Sequence, residues 1–89
     1  MKEGYYKVVV RGNIDDRDSE PYDHSFRASF EEAKEDALGI IEAHKYINRT
    51  DGCTSKIRVF FVPFGSTEFK SSKKEVEYTV DSLGEVSVF

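Results

Sequence analysis

A single cysteine, Cys53, stands among the 89 residues. No disulfide can therefore close within the chain, and no cysteine zinc site can be built from it. No run approaches the roughly 18 apolar residues needed to span a bilayer. The start, Met1-Lys2-Glu3-Gly4-Tyr5, lacks the apolar centre of a signal peptide. These absences predict one cytoplasmic domain over residues 1–89, away from the membrane. A serine nucleophile elbow, a phosphate-cradling glycine loop and a metal-binding histidine helix are also missing. The expectation is a non-enzymatic chain with no catalytic residue, no metal and no cofactor.

What is present is enough for a core. Seven Phe and five Tyr make the aromatic fraction 13%, and apolar residues recur with clear periods, which argues against disorder. A chain of this length buries about 60–65% of its unfolded surface, so stability should be modest. Charged residues are 34%, and the net charge is −4.

The strongest local signal runs from Ser29 to Ile47. Ser29-Phe30-Glu31-Glu32 has the form of a capping box, in which the Ser29 hydroxyl accepts from the Glu32 N–H and the Glu32 carboxylate reaches back to the Ser29 N–H. Glu31, Glu32, Glu35 and Asp36 fill the first turns, where the helix dipole favours negative charge. Asp51-Gly52 supplies a stop. At about 100° per residue, Phe30, Ala33, Ala37, Ile40, Ile41 and His44 share one face, with Ile47 at its edge. Gly39 lies off that face and costs roughly 1 kcal/mol against Ala. His44 is expected to be half-buried, its charged form favoured by the nearby helix end.

Strands surround this helix. Tyr5 to Arg11 alternates Tyr6, Val8 and Val10 with Tyr5, Lys7, Val9 and Arg11. A polar, acidic loop covers residues 12–23. His24 to Ala28 follows, with Phe26 on one face and Ser25 and Arg27 on the other. Lys56 to Val62 is β-branched and aromatic throughout. A short return strand is expected at Thr67 to Lys70, then Val76 to Val80, then Val86 to Phe89. The order is β-β-α-β-β-β with room for one more strand. It predicts an α+β two-layer sandwich, one amphipathic helix on a mainly antiparallel sheet of five or six strands. The far face of that sheet, with Lys56, Arg58, Phe60 and Tyr5, is left uncovered.

Charge is segregated along the chain. Residues 15–36 hold nine acids against three bases, a net of −6, and residues 44–74 hold seven bases against two acids, a net of +5. Asp15, Asp16, Asp18, Glu20 and Asp23 are the candidate binding residues of the acidic loop, facing a protein with a basic surface. The loop is not a calcium hand. Counted from Asp16, Pro21 and Arg27 stand where that hand needs Gly and Glu. The alternative set is basic and aromatic: Lys56, Arg58, Phe60, Lys70, Lys73 and Lys74, for nucleic acid or a nucleotide. Arg58-Val59-Phe60-Phe61-Val62-Pro63-Phe64 resembles the tail of the RNA-recognition-motif signature but lacks its two glycine/alanine positions. A negative net charge weighs against nucleic acid. Cys53 follows a helix end near Asp51, an environment that does not activate a thiolate.

Ala28-Ser29-Phe30-Glu31-Glu32-Ala33-Lys34-Glu35-Asp36-Ala37 resembles the strand-to-helix junction of HicB-type antitoxins. The likeness is a capping box plus alanines, which any strand-to-helix entry can carry, and no family follows from it. The function expected first is a small acidic protein that docks on another protein. An inhibitor encoded by a phage or mobile element, masking a basic or nucleic-acid-binding surface, is the form expected. The nucleic-acid module is the alternative, and self-association through sheet edges is compatible with both.

Overall fold

The computed structural model describes residues 3–65 and 72–89. The elements are β1 (Gly4–Arg11), β2 (Tyr22–Arg27), α1 (Phe30–Asp51), β3 (Ser55–Pro63), β4 (Lys73–Val80) and β5 (Val86–Val88). The chain is an α+β sandwich, one helix on a five-stranded antiparallel sheet ordered β2-β1-β3-β4-β5. The return strand expected at Thr67–Lys70 lies outside the described residues. β2 and β3 flank β1 on opposite sides, so α1 is the crossover that carries the chain over β1. A connection of that kind needs a dozen or more residues, which the helix supplies.

The Ser29 hydroxyl accepts from the Glu32 N–H at 3.3 Å, as a capping serine does. The Glu32 carboxylate accepts the Ser29 hydroxyl itself at 2.9 Å. At the other end Gly52 adopts φ 69°, and its N–H donates to Asn48 O at 2.8 Å. A left-handed residue at this place is most easily a glycine. The helix thus runs four residues past Ile47.

Ala33, Ala37 and Ile41 are buried on the sheet side, with Phe30 and Ile40 packed beside them. The two alanines let the helix axis approach the sheet closely. Opposite them lie Tyr6, Val8 and Val10 of β1, Ile57 and Val59 of β3, and Tyr78 and Val80 of β4. Tyr6 meets Phe30 edge-on at 5.8 Å between ring centroids and Phe61 at 5.2 Å. Ile47, placed at the edge of the apolar face by periodicity, is exposed, and the buried position near it is Asn48.

Asn48 anchors the C-terminal half of α1. Its amide donates to Ser55 Oγ at 2.9 Å and to Val80 O at 2.8 Å, and its carbonyl accepts the Cys53 thiol at 3.2 Å. Buried polar groups are stable only when paired this way. The N-terminal half is tied down by Asp36, which accepts from Arg27 Nε at 2.7 Å and Ser25 Oγ at 2.8 Å. The Arg27 hydrogen bond is the main reason the Asp36 carboxyl is held below the usual carboxylate range, and burial opposes it.

Two β-bulges interrupt the sheet at one level. Val8 pairs with Ser25 and Val9 with Asp23, leaving His24 as the extra residue of β2. Val59 pairs with Val76 and Phe60 with Lys74, leaving Glu75 as the extra residue of β4. Bulges bend a strand and re-aim its side chains. These two sit on the flanking partners of the central β1–β3 pair, where Val8 and Val59 face each other.

Candidate functional site

The register places two cross-strand rows on the sheet face away from α1. Asp23, Val9, Arg58 and Glu77 form one row across β2, β1, β3 and β4. Phe26, Lys7, Phe60 and Lys74 form the next. No helix among the described residues packs on this face. Between the rows lies an open concavity of about 320 Å³, lined by Lys7, Val9, Pro21, Asp23, Arg58 and Phe60 among others. Val9 is buried on this face. The Arg58 guanidinium lies over the Phe60 ring, 5.6 Å from its centroid. Tyr5 stands 5.8 Å from Phe26 and 6.2 Å from Phe64 by ring centroids. Phe26 and Phe64 are 53% and 68% exposed, so this aromatic group is open to solvent.

Electrostatics distinguish the two sides of the molecule. Lys7, Arg11, Lys56, Arg58 and Lys74 share the open face with Asp23 and Glu77. Glu31, Glu32, Glu35 and Glu42 are exposed on the helix. Two of these cations approach carboxylates on the same face. Lys7 approaches Asp23 at 3.8 Å, and Lys74 approaches Glu77 at 3.4 Å. Arg11 Nε and Arg58 Nε are shielded from solvent and have no hydrogen-bond acceptor among the described residues. A donor in that state costs roughly 1–3 kcal/mol until an acceptor meets it.

Of the residues singled out by sequence, Lys56, Arg58, Phe60 and Lys74 come together here. Lys73 pairs with Phe61 and so belongs to the helix-facing side, and Lys70 lies outside the described residues. Lys7 and Arg11 were missed as site residues. Their alternation was visible, but only the pairing with β3 sets them beside Arg58.

The acidic loop is split by the structure. Asp16 is a turn builder, its carboxylate accepting from the Asp18 N–H at 2.9 Å, and Asn13 does the same for Asp15 at 3.1 Å. The Ile14 N–H donates to Thr54 O at 2.9 Å, tying the loop to the helix exit. Asp15, Asp16, Asp18 and Glu20 are exposed, whereas Asp23 has moved onto the open face. Among the described residues no group of three or more His, Cys, Asp or Glu is arranged to hold a metal ion.

Beneath the helix, His44 Nδ1 lies 2.9 Å from Ser55 Oγ, a nucleophile-to-base distance. Ser55 is wholly buried and also bonded by Asn48, so no substrate reaches its oxygen. His44 is half-buried, as the sequence implies, but its charged form is not favoured. Burial holds its pKa below the ordinary 6.5. Because the helix continues to Asp51, His44 sits outside the last turn, where the dipole would favour its charge. The Cys53 thiol is engaged with Asn48, not with an imidazole.

No helix among the described residues is long and apolar enough to cross a membrane. No protein-family model matches the chain, and comparison with curated proteins and with solved structures gives no match. Fold and site therefore define the molecule by architecture: a one-helix α+β sandwich whose sheet face away from the helix is, among the described residues, basic and aromatic.

Proposed function

We propose that the chain is a non-catalytic binding protein whose working surface is the open sheet face, and that this face takes single-stranded nucleic acid. The observation that carries it is the set of cations, Arg11, Lys56, Arg58 and Lys74, on a sheet face that also exposes aromatic rings. Phosphates supply acceptors to such groups, and bases stack on rings and on guanidinium planes. The net charge of −4 does not oppose this locally, because exposed acids crowd the helix and the 12–23 loop while cations crowd the sheet. A field divided in this way orients a polyanion toward one side.

Fluorescence anisotropy with a labelled single-stranded 12-mer, within the roughly 4–16 nucleotides that a single-strand-binding module covers, tests it. With about three phosphates engaged, affinity should fall ~20-fold between about 50 and 200 mM salt. The double variant Arg11→Gln/Arg58→Gln should bind more weakly and with a shallower salt slope. Absence of binding at the lower salt overturns the proposal.

The acidic loop supports a second function, docking on the basic surface of another protein. Its backbone is fixed by two Asx turns and the Thr54 anchor, and Asp15, Asp18 and Glu20 stay exposed. Charge reversal at these three residues should abolish a salt-sensitive protein complex. A complex that survives reversal removes this function.

A further inference from the structure

The open face is not uniformly basic, and the exception is informative. Asp23 and Arg58 belong to one cross-strand row, with Val9 between them. Two strand spacings, about 10 Å, separate their backbones. Buried Val9 floors the gap between them. The Asp23 side chain is 44% exposed, and among the described residues its carboxylate approaches Lys7 at 3.8 Å, beyond hydrogen-bonding distance. Arg58 lies on Phe60, and its Nε has no hydrogen-bond acceptor among the described residues. The concavity therefore has an acceptor on one wall, an apolar floor, and a π surface with a cation on the other wall. Both β-bulges occur at this level of the sheet, His24 beside Asp23 and Glu75 beside the Phe60–Lys74 pair. Bulges are enriched where a side chain is re-aimed for a ligand.

We infer that this concavity is the subsite for one nucleotide, with the base against Phe60, its phosphate on the Arg58 side, and the base's amino group donating to Asp23. This assignment rests on the nucleic-acid function proposed above and adds the point at which the base is distinguished. A bare polyanion would be repelled by Asp23. A nucleotide carrying an amino group on its pairing edge is anionic at one end and a donor at the other, and it matches the row end to end. Cytosine offers N4–H₂ to a carboxylate. Thymine presents a carbonyl oxygen there, which Asp23 repels. At about 320 Å³ the space suits one small ligand, at the low end of ligand pockets.

The full-length chain, titrated by fluorescence anisotropy with labelled oligo-dC and oligo-dT of equal length, tests this. The expected preference for dC is ~10-fold, the factor for one charge-assisted hydrogen bond. Asp23→Ala should bring the two affinities together, and should do so partly by tightening dT, because a repulsive charge has gone. Phe60→Leu should weaken both oligomers about five-fold or more. Circular dichroism of each variant confirms folding, and amide shifts on adding CMP to the unaltered protein provide a readout that needs no substitution. They should cluster at Val9, Asp23, Arg58 and Phe60. Equal dC and dT binding by the unaltered protein, with Phe60→Leu unaffected, overturns the subsite while leaving the nucleic-acid function standing. CMP binding at these residues without oligomer binding keeps the subsite, assigns it to free nucleotides and sinks the single-strand function. No binding of any of the three overturns both.

Discussion

Asn48 is the residue whose loss should cost the fold most for its size. It has no exposed surface, and its amide holds two elements at once, donating to Ser55 Oγ on β3 and to the carbonyl of Val80 on β4. Asn48→Ala removes both donations, roughly 1 kcal/mol each. It also leaves the Val80 carbonyl buried without its side-chain donor and opens a small void, so the total is about 3 kcal/mol. A domain of this size has roughly 4–13 kcal/mol of stability to lose. The melting temperature should drop by about 12–24 °C. Asn48→Asp, equal in shape, should be worse than Ala, because an acceptor then faces the Val80 carbonyl. Urea denaturation followed by far-UV circular dichroism reads the change as a shifted midpoint at constant slope. Thr50→Ala, which removes an exposed hydroxyl bonded to Tyr46 O, is the control and should stay within about 0.5 kcal/mol. An Asn48→Ala midpoint indistinguishable from that control would show that the helix is held by its apolar stripe alone.

Two glycines should respond in opposite directions. A Cβ at Gly39 meets nothing within 4 Å, so Gly39→Ala should raise stability by about 1 kcal/mol through helix propensity, and a lower melting temperature would refute this. Gly84 has φ 79°, and a Cβ there would lie 2.9 Å from Lys45 O. Gly84→Ala should therefore destabilise the β4–β5 turn against the helix, and an unchanged urea midpoint would contradict the close packing. For His44, burial lowers the folded-state pKa below 6.5, so the unfolded chain takes up the proton first. Its contribution to stability is fully present above pH 6.5 and is lost as pH falls from there through the folded-state pKa. Urea midpoints measured across that range should fall with acidity in the native protein and less so in His44→Gln, and parallel curves would exclude His44 as the cause. Asp36, held low chiefly by the Arg27 hydrogen bond, acts in a more acidic window. Its stabilisation is present above the ordinary 3.8 and disappears as pH drops through the folded value, and Arg27→Gln should flatten that limb of an acid titration.

Much of the local structure is determined by sequence alone. Ser29 with Glu32, the spacing of Ala33, Ala37 and Ile41, and Gly52 after Asp51 specify where the helix begins, which face it buries and where it stops, because caps and periodicity act within a few residues. Alternation in Tyr5–Arg11, Lys56–Val62 and Val76–Val80 specifies strands in the same way, and with them the two-layer class. Asn48 escaped notice because an apolar template passes over a polar residue, even one at a core-facing position. The site was legible only in part. Phe60, Arg58, Lys56 and Lys74 could be named, but not that Lys7 and Arg11 join them, that Asp23 leaves the acidic loop for this face, or that Lys73 turns away from it. Those facts depend on strand order, on pairing register and on two bulges. They are settled by contacts between residues far apart in the chain, where a slip of one position moves a side chain to the other side of the sheet.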